Sequence, residues 1–379
     1  MTSGPGPATG GIRSAVPALR ILIGSAHPYL PQIRGGAQSS SHELALALRE
    51  RGHEVAVLGG LTGRGRIGAV SRLRLKLGRR TYVRDAWPGY PVFRAWFAKD
   101  AAAEVAGDFR PDVAFLQSGR PMELAEAFSA AGVASVVYLR NVEEDDLGGP
   151  VVAERSRFVA NSRFTAERFA ARHGIRSEVV HPLVRPDRYR TGTNRRNVTF
   201  INPHPHKGVD VAVALARRCP EIPFVFVRAW TLSKADERAL SEAIATLPNV
   251  TLRPSVDDMR KIYREARLVL APSRWNEAFG RIAAEAHVNG IPVLASDRGG
   301  LTEAVGPGGI VLDPDGPIDA WVAALRTLWQ DEAAYARKAE AALAHSRRRA
   351  MDPDRQIAAL ERILASGARQ GAGSGRIAR

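Results

Sequence analysis

Short apolar runs bounded by glycine, proline and polar residues alternate with longer amphipathic stretches along the chain, and this alternation predicts an α/β protein. The run LRILIGS (19–25) is apolar at nearly every position, the pattern of a strand buried on both faces. Pro28 and Pro31 then lead into a loop carrying Arg34, Gly35 and Gly36. Ser40 and Glu43 have capping-box spacing, Leu44, Ala47 and Leu48 share one face, and Gly52 can take a left-handed stop, so a helix is predicted over 40–51. Glu54–Leu58 follows as a second strand and completes a right-handed strand–helix–strand unit. The same grammar continues through Val92 and Phe93, a helix near 97–107, a strand over 112–117, another helix and strand within 121–138, FVANS (158–162), a helix over 163–173 and EVVHP (178–182).

Pro182, Pro186 and the polar stretch RTGTNRRN (190–197) read as a linker, after which the alternation restarts. Strands are predicted at 198–202, 224–229, 250–252, 267–271, 291–296 and 309–313. Helices are predicted from Gly208 and over 232–246, 257–265 and 281–289, as a parallel sheet requires. Helical stretches near 318–329, 331–347 and 353–365 follow. The expected organisation is a flexible leader (1–17), a first Rossmann-like domain (18–189), a linker (190–197), a second Rossmann-like domain (198–348), a helix (349–366) and a flexible tail (367–379).

Composition narrows the class. Of 379 residues, 45% are hydrophobic and 25% charged, the balance of a packed globular protein, and one cysteine excludes an intramolecular disulfide. No run approaches the ~18 apolar residues of a membrane span, and the opening MTSGPGPATGG lacks a signal-peptide pattern, so a cytoplasmic location is expected, with room for contact at the inner membrane face. Lys and Arg number 54 against 39 Asp and Glu, a formal charge of +15 that favours anionic partners: phosphorylated small molecules, anionic lipid or nucleic acid. Residues 61–84 hold eight Lys or Arg and no acid, interspersed with Leu61, Ile67, Val70, Leu73, Leu75 and Leu77. That pattern fits an anionic lipid surface or a phosphate-bearing acceptor, and equally a solvated helix. No zinc-finger, aromatic RNP or homeodomain pattern accompanies the charge, so specific nucleic-acid binding is not expected. His204 and His206 lack a third ligand at metal-site spacing, so no metal is assigned.

Chemistry concentrates in SRWNEAFGRIAAEAHVNGIPVLASDRGGLTEAV (273–305), a strand end, loop, helix and second strand end. Glu277 precedes Gly280, and Glu285 lies eight positions on, roughly 12 Å along a helix, too far to share a proton. The pair can touch separate parts of an extended ligand whose phosphates face the N–H groups of Phe279, Gly280 and Arg281. It can equally be a helix-start carboxylate and a solvent-facing one. Lys207 and Gly208 follow the first strand of the second domain, where an ammonium beside an anion, or a solvated lysine, would be placed.

The segment from Glu277 to Glu285 resembles the E-x7-E signature of retaining nucleotide-sugar glycosyltransferases of family 4 (group 1). The GG loop, the NS strand end, the KG helix start and the C-terminal helices match in the same order from about Leu19 to Leu364. The resemblance implies a GT-B fold of two Rossmann-like domains facing across a cleft, the last helices bracing the first domain. It also implies transfer of a sugar with retained configuration from a nucleoside diphosphate sugar (a UDP-sugar or GDP-sugar) to an acceptor hydroxyl, without a cofactor or metal. By it, Glu277 faces the transferred sugar, Glu285 the ribose, Phe279 and Gly280 offer backbone groups to the donor, Lys207 holds the diphosphate, and Gly35 and Gly36 lie near donor phosphate and acceptor. The acceptor would be lipid-linked, anionic or another hydroxyl compound. Four departures stand out. Asn202 and Pro203 replace the expected G-R pair, Val227, Arg228 and Ala229 lack the G-x-G strand ending, Arg140 and Asn141 replace a His-Asp element, and Gln117 and Ser118 stand where relatives place a histidine. Arg228, Arg274 or His206 are the candidates to replace the missing arginine, and neither His27 nor His42 is assigned as base. A phosphorylase or sugar-phosphate synthase of the same fold, or a decayed basic scaffold, are the alternatives.

Overall fold

The computed structural model describes residues 14–33, 35–152 and 156–374; Arg34, most of the expected leader and the end of the expected tail lie outside the described residues. The chain first forms β1 (Arg20–Pro28), α1 (Gly36–Glu50), β2 (Glu54–Gly60), α2 (Gly65–Leu77), β3 (Tyr82–Asp85), β4 (Val92–Ala95), α3 (Ala98–Phe109) and β5 (Val113–Gln117). It continues through α4 (Pro121–Ala130), β6 (Ser135–Leu139), β7 (Ser156–Ala160), α5 (Arg163–His173), β8 (Ser177–Val179) and α6 (Pro186–Tyr189). The eight strands order as β3-β4-β2-β1-β5-β6-β7-β8. β1 runs parallel to β2 and β5, while β3 is antiparallel to β4.

The restart at 197 gives β9 (Asn197–Ile201), α7 (Val209–Arg218), β10 (Phe224–Val227), α8 (Lys234–Ala245), β11 (Val250–Arg253), α9 (Arg260–Tyr263) and β12 (Ala266–Ala271). Then come α10 (Arg281–His287), β13 (Val293–Ser296), α11 (Leu301–Val305), β14 (Gly309–Leu312), α12 (Ile318–Gln330), α13 (Glu332–Ser346) and α14 (Pro353–Ser374). The strands order as β11-β10-β9-β12-β13-β14 and every pairing is parallel. Two compact units result. One runs up to Tyr138 and adds Glu143–Phe158 and the chain from Ile357 onward; the other comprises Leu139–Val142 and Val159–Gln356.

Burial on both faces explains the unbroken apolar strands. In β12, Leu268 and Leu270 pack with Phe200, Phe224, Trp321 and Leu325, while Val269 and Ala271 face Tyr263, Ala283 and Ala286. Small alanines on α10 let that helix approach the sheet closely.

Two element boundaries differ from the sequence pattern. α1 starts at Gly36 with Gly35 as its N-cap, so Ser40 and Glu43 sit buried inside the helix instead of capping it. α14 runs on past 365 to Ser374, because its later residues pack against the first unit. A Cβ on Gly367 would lie 2.9 Å from Val136 Cγ2, so glycine permits the close approach to β6. Glu361 on the same helix is buried and accepts from Arg51 Nε (2.7 Å), Arg51 Nη2 (2.9 Å) and His53 Nε2 (3.0 Å). Burial alone would raise its pKa, and Arg51 and His53 outweigh that and hold it below the usual carboxylate value. The polar stretch expected as a linker is bonded onto the second unit, with Thr191 N on Asn289 Oδ1 (2.6 Å) and Asn194 N on Arg264 O (2.7 Å).

Candidate functional site

β9, β12 and β13 are neighbours in a parallel sheet, so the loops at their carboxyl ends lie side by side, the position where open α/β sheets bind ligands. Asn202 ends β9 with φ 67°, the left-handed conformation that asparagine tolerates better than most residues. It thus keeps the backbone shape expected of glycine, and its Oδ1 accepts from Trp230 N at 3.1 Å. Pro203 brings neither an N–H nor a charge, so the arginine of the resemblance has no equivalent there. A 3-10 turn over Pro205–Lys207 then swings the chain back, with His204 Nδ1 accepting from His206 N at 3.2 Å.

This turn delivers Lys207 to the loop after β12. Lys207 Nζ lies 2.5 Å from Glu277 Oε1, and Ser273 Oγ donates to the same oxygen at 2.5 Å. The lysine and glutamate side chains are only 16% and 17% exposed, so their charges interact through partly dry surroundings. Nζ also sits 4.7 Å from the Trp275 ring centre and 5.0 Å from that of Trp230. The Glu277 loop is pinned from both sides: Gly300 N donates to Glu277 O (2.7 Å), and Ser162 Oγ and Thr165 Oγ1 donate to Ala278 O (2.5 and 3.1 Å).

Gly280 turns that loop into α10 at φ 100°, a conformation that demands glycine, and a Cβ there would also push on Leu301 Cδ1 at 2.5 Å. Phe279 is buried beside His181, ring centres 5.2 Å apart. Glu285 is buried rather than solvent-facing. Tyr263 OH donates to its Oε2 (2.8 Å) and Arg281 Nε to its Oε1 (2.6 Å). Burial and the Glu285 charge push the Tyr263 hydroxyl well above its ordinary pKa, which keeps it a donor.

Neither arginine candidate is free for a diphosphate. Arg228 forms a bidentate pair with Glu237 (2.6 and 2.5 Å), which raises the guanidinium pKa and lowers that of the carboxylate. Arg274 binds Asp315 Oδ1 at 2.7 Å and pairs with Asp210. Each of these charges is already matched by a carboxylate. His206 is exposed, and its carbonyl accepts from Arg274 N at 3.0 Å. Gly35 and Gly36 belong to the other unit. Gly35 is extended, and a Cβ there would come 2.9 Å from Gln38 Oε1; Gly36 is helical, and a Cβ on it would meet nothing within 4 Å. The structure therefore brings Lys207, Glu277, Phe279, Gly280 and Glu285 into one stretch of the second unit. Sequence patterns missed Ser273, Trp230 and Trp275; the tryptophan two positions before Glu277 was the available signal.

α10 also carries His287, fully buried beside His345. Burial, then the charges of His345 and Arg348, lowers its pKa to about 3. The unfolded chain takes up that proton near pH 6.5, so stability is complete above this value and is lost progressively as pH falls toward 3. Between pH 7.5 and 5.0 this residue alone should cost about 2 kcal/mol, read as the difference in pH dependence of unfolding between the wild type and His287→Leu. Identical pH dependence would show that His287 carries none of this stability.

No group of three or more His, Cys, Asp or Glu able to hold a metal is found among the described residues, and no described helix is long and apolar enough to cross a membrane.

Residues 34–188 match the family described as Glycosyltransferase Family 4 and residues 195–331 that described as Glycosyl transferases group 1. With both halves matched in order, the chain belongs to the family 4, group 1 glycosyltransferases, and its two parallel-sheet units are those of the GT-B fold. The D-inositol 3-phosphate glycosyltransferase of Mycobacterium sp. (strain KMS) is 30% identical over 184 residues, 42% of this chain and 41% of that protein. Its counterpart in Mycolicibacterium smegmatis is 31% identical over 205 residues, 47% of this chain and 45% of the relative. The matches thus span less than half of the curated relatives' length. Among solved structures, Anabaena HepE in complex with UDP-glucose superposes with TM-score 0.73 at 20% identity, covering 92% of this chain and 100% of that one. A glycosyltransferase from Rickettsia africae gives TM-score 0.71 at 15% identity, covering 92% and 98%.

Proposed function

We propose that the protein transfers a sugar from a nucleoside diphosphate sugar, a UDP-sugar or GDP-sugar, to an acceptor hydroxyl with retention of configuration. The observation that carries this reading is the contact of Lys207 Nζ with Glu277 Oε1 on neighbouring strand-end loops, with Glu285 buried one helix away. In the family signature these three positions address the diphosphate, the sugar and the ribose. That the relatives named above are glycosyltransferases, and that the Anabaena protein holds UDP-glucose, supports the donor class.

In the proposed step the bond between the anomeric carbon and the diphosphate oxygen breaks, and the acceptor oxygen bonds to the same face of that carbon. The acceptor proton passes to the departing phosphate. Charge grows on the leaving diphosphate, and Lys207 together with the N–H groups around Gly280 would stabilise it where it forms, which supplies the electrostatic work without a metal. Glu277 positions the sugar. The test is a donor screen that reads released nucleoside diphosphate and glycosylated product together, with the product's anomeric configuration determined by NMR and the reaction repeated in chelator. Product of retained configuration, formed equally with chelator, is expected. Inverted product, or sugar phosphate formed from inorganic phosphate, would replace this reading with a different transferase or with a phosphorylase.

The acceptor is read as lipid-linked or anionic, supported by α2. Val70, Leu73 and Leu77 are 49%, 58% and 78% exposed on a helix flanked by exposed Arg72, Arg74, Lys76 and Arg79, and Trp96 and Phe97 are exposed as well. Apolar side chains among cations suit an anionic bilayer surface, where each cation contributes about 1 kcal/mol. Reversing these four charges to glutamate should weaken sedimentation with phosphatidylglycerol vesicles at low salt at least tenfold. Unchanged sedimentation would show that α2 is simply a solvated helix.

A further inference from the structure

Lys207 stands in an enclosure that the donor reading does not require. His204 and His206 stack with ring centres 5.0 Å apart, His206 stacks on Trp275 at 5.1 Å and 9°, Trp275 meets Trp230 edge-on at 5.4 Å, and Trp230 meets His204 edge-on at 5.3 Å. Four rings thus close a circuit, and the Lys207 ammonium lies beside two of them, 4.7 Å from the Trp275 ring centre and 5.0 Å from that of Trp230. The sequence NPHPHK builds it. Pro203 and Pro205 restrict the turn so that the two imidazoles come onto one side, and Asn202 Oδ1 fixes Trp230 N across the end of β10. Burial, followed by the charges of His206 and Lys207, lowers the His204 pKa, so that ring stays neutral beside the ammonium.

A lysine on four methylenes is a mobile point charge, whereas a guanidinium is a preorganised fork. With proline at the arginine position, this site carries a lone ammonium and must fix it by other means. Aromatic faces do so, because the negative face of a π system attracts a cation without neutralising it, as a second carboxylate would. We propose that Trp230 and Trp275 are positioning residues for Lys207, an aromatic enclosure that takes over the ordering role left by the absent arginine. Glu277 is the ammonium's carboxylate partner in the ligand-free protein, and the enclosure keeps Lys207 in place when donor phosphate takes that charge. This inference rests on the proposed donor site, and its test separates the two.

The chain has six lysines, so reductive methylation with ¹³C-formaldehyde, which keeps the charge, gives few resonances. Two ring faces should shift the Lys207 signal clearly upfield of the other five. The shift should shrink in Trp275→Leu, largely persist in Trp275→Phe and vanish when both tryptophans are leucine, and the signal itself should be absent in Lys207→Arg. An unshifted Lys207 signal, or a shift that survives Trp275→Leu and Trp230→Leu together, overturns the enclosure whatever the protein binds. Titration with UDP, GDP, ADP and dTDP follows the same signal in the wild type, and calorimetry reads the affinities in every variant. Each leucine variant is expected to weaken nucleoside diphosphate binding at least tenfold in the wild-type background and to add nothing in Lys207→Met. An equal loss in both backgrounds would mean that the tryptophans act on the ligand directly and overturn the positioning role alone. A shifted signal that no nucleotide moves would overturn the donor reading, and with it the role of the enclosure in catalysis.

Discussion

Replacing Lys207 by methionine should lower the turnover of a nucleoside diphosphate sugar by about 10²–10³-fold, the usual cost of removing one preorganised donor from a developing oxyanion. Methionine keeps most of the stem's volume and removes the charge, so the loss should fall on kcat more than on KM, since the interaction strengthens as the diphosphate departs. The same change leaves Glu277 with Ser273 as its remaining partner at the site, because Ser273 Oγ donates to the oxygen that Lys207 now holds. Glu277→Gln in the methionine background should therefore cost far less than in the wild type, since each change breaks the same unit. Steady-state release of nucleoside diphosphate measures this. A loss within twofold for Lys207→Met, in protein that melts like the wild type, would place the ammonium away from the reacting centre.

Gly208→Ala is expected to destabilise the second unit by about 3 kcal/mol or more. Gly208 has φ 75°, and a Cβ there would lie 1.9 Å from the backbone oxygen of Pro272, which cannot rotate away. Relief requires moving the loop after β12, and that loop carries Ser273, Trp275 and Glu277. The unfavourable left-handed alanine and the displaced loop add to one another. Gly36→Ala is the contrasting case: the position is helical and empty around its Cβ, so a gain of about 0.4–1 kcal/mol is expected. Thermal and urea unfolding of both variants measure the difference. A Gly208→Ala protein as stable as the wild type would mean that the turn can relax, and that Lys207 is less firmly placed than described.

Much of the fold was legible because a parallel sheet buries both faces of each strand. Phe224–Val227 and residues 291–295 read as unbroken apolar runs, and the helices between them carry one apolar stripe. α5 over Arg163–His173 matches the predicted helix because Ser162 acts as its N-cap, accepting from Thr165 N. Spacing misled at Ser40 and Glu43, where the capping pattern occurs inside a helix that Gly35 already starts. It also misled at the chain's end, where Gly367, in a stretch that resembles a loose tail, lets α14 approach β6. β3 escaped notice because its four residues pair only through an antiparallel edge contact, with little apolar signal of their own.

The site was legible only where backbone geometry and charge leave a local trace. Gly208 and Gly280 mark turns that need glycine, and Glu277 and Glu285 stand at a fixed distance from them. What spacing could not show is which charges find partners across the chain. Arg228 and Arg274 were candidates for the diphosphate, yet Glu237, Asp210 and Asp315 already face them. Nor does any linear pattern reveal that Trp230 and Trp275, far apart in sequence, meet around one ammonium. At Asn202 the family pattern is broken in residue type, yet the backbone takes the left-handed conformation that glycine favours.

The proposed transfer requires the second unit to hold a nucleoside diphosphate through Lys207 and its neighbours. Calorimetric titration of the whole chain with UDP, GDP, ADP and dTDP, repeated with Lys207→Met, measures this. At least one of the four is predicted to bind the wild type with one-to-one stoichiometry and to lose at least 100-fold in affinity in the variant. Folded wild-type protein that binds none of them, or a variant that binds as tightly as the wild type, would contradict it.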